Sequence, residues 1–134
     1  LLTTVANINS LKSTKLIVGA HLNHGGRSDH GFSNMILASK FDGCFLVDES
    51  TWITTIKNQG KEFSAKPQTL FSLVPLTAAE VTIQGARYPL HFQKLKSSTH
   101  GLSNLTQGRK TKITVKGQVL LFVSQSILES KITL

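Results

Sequence analysis

Ile17–Asn58 reads IVGAHLNHGGRSDHGFSNMILASKFDGCFLVDESTWITTIKN, and how that stretch divides into elements decides the fold. Ahead of it, apolar residues at 1, 2, 5, 8, 11, 16, 17 and 20 recur mostly at steps of three or four, the helical spacing. Asn9-Ser10 offers a cap within that run, and Gly25-Gly26 stops it. Asp42-Gly43 lies between two short apolar runs, a pairing that favours a tight hairpin turn with positive φ at its centre. Met35–Lys40 and Cys44–Val47 are therefore expected to pair as antiparallel strands, with Gly43 at the tip. Asp48, Ser50 and Thr51 can accept hydrogen bonds from the first N–H groups of a helix starting near Trp52, whose Trp52, Ile53 and Ile56 would share a face.

The remainder looks different. Helical periodicity is poor between Lys61 and Lys116. Phe71–Val74, Glu80–Ile83, Tyr88–Phe92 and Lys112–Val115 alternate or form short apolar runs, so β-ribbon and loop are expected there, with Pro89 at an edge. Val119–Val123 is five consecutive apolar residues, which suits a strand covered on both faces, as in a parallel sheet. Ser124 or Ser126 can cap a helix through Ile127, Leu128 and Ile132. The division is thus 1–60 (helix, His/Gly loop, hairpin, helix), 61–116 (a β-rich insertion) and 117–134 (buried strand and helix start). The expected class is α/β, an incomplete doubly wound, flavodoxin-like sheet.

With 134 residues the chain can bury a core of its own, and an apolar share of 40% fits a globular class. The net charge of +8 is uneven: residues 61–134 hold ten basic groups against three acidic ones, and residues 1–60 hold five against four. Such a surplus attracts polyanions. The single cysteine, Cys44, has no partner for an internal disulfide and reads as a small buried hydrophobe. No apolar run reaches the roughly 18 residues of a membrane span, so neither a transmembrane helix nor a leader is expected.

The order helix, basic loop, hairpin, helix resembles the ribosomal small-subunit protein two family. Ala20-His21-Leu22-Asn23-His24 matches its opening motif, with Asn23 where the family usually has Gly. Met35-Ile36-Leu37-Ala38, Gly43, Phe45-Leu46-Val47-Asp48 and Thr51 follow in the family's order, and Lys116–Val123 resembles its glycine-led strand. The resemblance implies a divergent, truncated member without catalytic activity or cofactor. It would bind small-subunit rRNA and neighbouring ribosomal proteins, and the Ala-His-Leu form suggests a mitochondrial ribosome. Because the family's later strands have no counterpart here, Val119–Val123 would be an unpaired edge, completed by a second polypeptide.

Under that resemblance the RNA contacts fall on Lys12, Lys15, His21, His24, Arg27, His30, Lys40, Lys94, Lys96, Arg109, Lys110 and Lys112. The loop SSTHGLSNLTQG between Lys96 and Arg109 carries hydroxyls and amides suited to phosphate and sugar. Two other function classes compete. One is a free-standing basic RNA- or DNA-binding module, which would bind in isolation. The other is a small metalloenzyme using His21, His24 and His30; those histidines lack the fourth ligand or the His–Glu pair that a zinc site ordinarily shows, so no metal is assigned. Ser28, Asp29 and His30 are adjacent in sequence, and adjacent side chains diverge rather than form a triad.

Overall fold

A computed structural model of the protein describes residues 17–18, 28–47, 50–95, 101–125 and 131–133. More than half of these are strand, and one helix, α1 (Ser28–Ala38), stands among eleven strands. The strands are β1 (Ile17–Val18), β2 (Cys44–Leu46), β3 (Trp52–Lys57), β4 (Gly60–Ser64), β5 (Leu70–Pro75), β6 (Ala79–Gln84), β7 (Leu90–Leu95), β8 (Asn104–Leu105), β9 (Thr111–Lys116), β10 (Gln118–Val123) and β11 (Lys131–Thr133). They form two sheets, ordered β1-β2-β3-β10-β5-β8 and β11-β4-β9-β6-β7. All pairings are antiparallel except β1 with β2.

Alternation drives most of this. In β6 and β9 the apolar Val81, Ile83, Ile113 and Val115 point inward, while Glu80, Thr82, Lys112 and Thr114 point out. The facing side of the first sheet supplies Trp52, Ile56, Phe71, Leu73, Val119 and Leu121. Phe63 sits edge-on to both Trp52 (centroids 6.1 Å apart) and Phe71 (5.5 Å), a geometry that aligns ring edges with ring faces. The chain changes sheet at two joined corners. Asn58 N–H donates to Gly117 C=O (3.0 Å), and Gly117 N–H donates to Asn58 Oδ1 (2.8 Å).

The doubly wound α/β sheet is not formed. Val119–Val123 belongs to β10, which lies between β3 and β5 in the interior of an antiparallel sheet, so it is neither parallel nor an open edge. Trp52–Lys57 is a strand rather than a helix. Its first five residues are all buried because the other sheet covers one face and α1, with its cluster of Ala38, Phe45, Ile53 and Leu120, covers the other. Two-sided burial erases the alternation by which a strand is recognised. Conversely, Met35–Ala38 is the last turn of α1, not a hairpin strand, and Asp42-Gly43 links helix to strand. Positive φ among the described glycines falls at Gly85, Gly108 and Gly117, not at Gly43. Ile17–Val18 and Lys131–Thr133 are strands where helix was expected; the rest of residues 1–27, Asp48, and 126–130 lie outside the described residues.

Cys44 is fully buried, as its apolar setting suggested. Burial pushes its thiol from 9.0 up to about 11; a Thr54 hydrogen bond and the Lys61 charge oppose that rise, and Asp42 adds to it. The neutral thiol is the form the fold prefers. Its contribution is therefore complete below the unfolded-state value of 9.0 and is lost as pH climbs through about 11. Urea denaturation across that window should show wild type losing up to roughly 3 kcal/mol more than Cys44→Ala. Parallel pH profiles for the two proteins would contradict this account.

Candidate functional site

The outer face of the first sheet is only partly covered. Register places Phe45, Ile53, Phe122 and Ser72 in one row across β2, β3, β10 and β5. Directly paired residues share a face, so the four side chains stand side by side. Phe45 and Ile53 are buried beneath α1, whereas Phe122 and Ser72 are half-buried. Beyond Ser72 the row ends at a loop, Gly101–Ser103, that extends the sheet edge. Leu73 N–H donates to Gly101 C=O (2.7 Å), and Ser103 N–H donates to Ser72 Oγ (3.0 Å).

Several features hold that loop in place. A Cβ at Gly101 would collide with the Leu73 carbonyl oxygen, so close backbone approach requires glycine there. Ser103 sits at φ 62°, a left-handed conformation uncommon for a serine, and is exposed beside exposed Leu102. The buried Asn104 side chain then fastens a second loop. Its Oδ1 accepts from Tyr88 N–H (3.0 Å) and Leu105 N–H (2.9 Å), and its Nδ2 donates to Tyr88 C=O (2.8 Å). Tyr88 is exposed, with the Arg87 guanidinium over its ring at 5.5 Å.

The helix forms the opposite bank. Gln118 Nε2 donates to Ser39 C=O (3.1 Å), which fixes the C-terminal end of α1 near the start of β10. Eleven residues at about 1.5 Å each give α1 a length of about 16 Å, with Ser28 and Asp29 at the end away from Ser39. Between helix and loop the surface thus offers the half-buried Phe122 ring and the Ser72 hydroxyl, beside the exposed Ser103.

Those of the residues expected to contact RNA that are described are not gathered on this surface. His30 is in the first turn of α1 and Lys40 follows its last, at opposite ends of the helix. Lys94 and Lys112 are exposed on the second sheet, on strands that flank β6, where Glu80 pairs with Lys94 and with Lys116. Arg109 bonds Gln107 Oε1 (2.7 Å), and Lys110 stands 3.9 Å from Glu62, both in the turn before β9. Lys12, Lys15, His21, His24, Arg27 and Lys96 lie outside the described residues. Among the described residues no three His, Cys, Asp or Glu side chains converge on one point.

Residues 54–120 match the family model for the vitamin B1 binding domain of thiamin pyrophosphokinase. The chain belongs to that family. Its fold is shared by the thiamine pyrophosphokinase of Bacillus subtilis, with a TM-score of 0.71 at 21% identity over 93% of this chain and 62% of that one. Yeast thiamin pyrophosphokinase superposes with a TM-score of 0.60 at 19% identity, over 96% of this chain and 47% of the other. The Candida albicans enzyme gives 0.64 at 13% identity, over 82% and 43%. The chain thus spans about three fifths or less of the length of these structures. No curated protein matches it.

Membership in a thiamin pyrophosphokinase family overturns the ribosomal resemblance and the non-enzymatic role, rRNA and ribosomal-protein partners, and completing polypeptide that it implied. The matching Ala-His-Leu and Phe-Leu-Val-Asp segments are only three and four residues long, and strings that short recur in unrelated proteins. Ser72, Ser103, Asn104 and Phe122 went unassigned as site residues in the sequence. The one available signal was Gly101-Leu102-Ser103-Asn104, where Gly and Asn mark special backbone geometry within a polar loop.

Proposed function

We propose that the chain supplies the thiamine-binding part of a thiamine pyrophosphokinase, and that thiamine lies on the outer face of the first sheet between Gly101–Ser103 and α1. The observation that carries the reading is the family match over 54–120, which contains Ser72, the Gly101–Asn104 loop and most of the strands that build that face. The flat aminopyrimidine would rest on Phe122, and the Ser72 and Ser103 hydroxyls would meet its ring nitrogens and amino group. In the reaction such an enzyme's name describes, the hydroxyl oxygen of thiamine forms an O–P bond to the pyrophosphoryl group of a phosphoanhydride donor. The donor's P–O bond breaks and the hydroxyl proton is released. The role of this face is to fix the direction of that hydroxyl, since orientation contributes several kcal/mol to a bimolecular step.

Isothermal titration of the full chain with thiamine tests the reading. Saturable binding is expected, weakened about tenfold by Ser72→Ala or by Phe122→Ala, each worth on the order of 1–2 kcal/mol. Binding that is absent from the wild type, or indifferent to both changes in folded protein, would refute it.

A further inference from the structure

The pairing of β6 with β7 is irregular where the two strands meet a cleft. Register sets Val81 against Gln93 but Ile83 against Leu90, so His91 and Phe92 together stand opposite Thr82, a β-bulge. Phe92 takes φ 49°, a left-handed conformation rare for a bulky side chain, and its N–H donates to Thr82 Oγ1 (3.2 Å). The ring gains no burial in return. Phe92 is 63% exposed, and it meets the His91 ring edge-on with centroids 4.8 Å apart. Backbone strain at a surface aromatic, with no burial to offset it, points to a side chain aimed for use.

His91 is part of the wall of a cleft of about 460 Å³, within the range of small-molecule sites. Exposed Pro89, half-buried Leu90 and the Gly85 backbone give it an apolar lining, backed by the buried Ile83 and Ala86. Gln84 and Arg109, both exposed, complete the wall. Gln107 Oε1 holds the Arg109 guanidinium (2.7 Å) and leaves its other N–H donors for a ligand. Among the described residues no carboxylate lines the cleft. Glu62 lies two strands from Gln84, opposite Lys112 and 3.9 Å from Lys110 Nζ, so those two ammonium groups are balanced there. One fixed cation at an apolar cleft matches a ligand with an apolar body and a singly charged head. A carboxylate offers two oxygens to the guanidinium fork, whereas a phosphate ester of higher charge would be left unbalanced. The His91 ring, with Phe92 against it, gives a flat body a surface to stack on.

We propose that this cleft binds an aromatic carboxylate, with the carboxylate on Arg109 and the ring against His91 and Leu90. The site is separate from the thiamine surface and does not depend on that reading. Its lining residues belong to β6, β7, the turn between them and the approach to β9. None is on β2, β3, β10 or β5, which carry Phe45, Ile53, Phe122 and Ser72. Charge separates the two ligands as well, because thiamine is a cation and the fixed charge of this cleft is that of Arg109.

The test is titration of the full chain with cinnamate, and with cinnamamide as its uncharged counterpart. Saturable binding of the carboxylate is expected at millimolar concentration or below, and binding of the amide about tenfold weaker. Arg109→Gln should weaken cinnamate about tenfold and His91→Ala about threefold, with Ser72→Ala leaving it unchanged. Phe92→Gly should weaken it about threefold yet melt no lower than wild type, because glycine adopts φ 49° without strain. Thermal melts establish that each variant is folded, and the exposed Arg109 carries the test should a bulge variant fail to fold. Absence of saturable binding at about 10 mM cinnamate would overturn the proposal. Equal affinity for carboxylate and amide, indifference to Arg109→Gln, or displacement of cinnamate by thiamine would overturn it equally.

Discussion

Replacing Asn104 by leucine is expected to cost roughly 2–4 kcal/mol of stability and to abolish measurable thiamine binding. The residue is 6% exposed, and one amide serves three backbone groups: Tyr88 N–H, Tyr88 C=O and Leu105 N–H. Leucine fills a similar volume but leaves those groups without their partner, and each unsatisfied group in a buried setting costs about 1–3 kcal/mol. Tyr88 is near the surface, so water recovers part of the loss, which sets the estimate below the full sum. The binding loss has a different origin. Asn104 follows Ser103 directly, and without its anchor the loop at φ 62° can relax away from Ser72. Asn104→Asp should fall between the two proteins, because a carboxylate still accepts from both N–H groups but faces the Tyr88 carbonyl without a donor. Urea denaturation and thiamine titration measure both effects. A loss under about 1 kcal/mol for Asn104→Leu would show that the clamp does not hold the loops together.

A larger effect is expected at Gly85, where alanine should destabilise the protein by about 3 kcal/mol or more. Gly85 has φ 82°, and a Cβ built there would collide with the Lys110 carbonyl oxygen, a backbone atom that cannot swing aside. The left-handed conformation costs a β-carbon about 1–2 kcal/mol, and displacement of the backbone before β9 adds to it. The consequences extend past the turn. Ala86 bridges to Thr106, Arg87 N–H donates to Leu105 C=O (2.9 Å), and Tyr88 is held by Asn104, so Gly85 begins the segment that supports the loop. Thermal unfolding of Gly85→Ala beside Gly60→Ala separates conformation from mere substitution. At Gly60 the nearest atom to an added Cβ is the Thr114 hydroxyl oxygen at 3.5 Å, an ordinary contact. Equal melting temperatures for the two variants would show that the turn tolerates a side chain.

The sequence by itself determined the elements whose two faces meet different surroundings. β5, β6 and β9 each have the other sheet on one side and a more open face on the other, so their alternation is visible in Phe71–Val74, Glu80–Ile83 and Lys112–Val115. It also fixed the burial of Cys44 and the presence of a strand at Val119–Val123. The tertiary structure alone decided the rest. Trp52–Ile56 is buried on both faces because α1 lies over β3, and a strand covered on both sides has no period of two to read. Met35–Ala38 is helical because Ser28–Ala38 forms one element packed on Phe45 and Ile53, which the short apolar run MILA could not reveal. The parallel or antiparallel setting of β10 depends on its neighbours β3 and β5, both distant in sequence. The proposed site has the same origin. Ser72, Ser103 and Phe122 are brought into contact range by pairing between distant strands, and pairing of that kind leaves no local pattern in the chain.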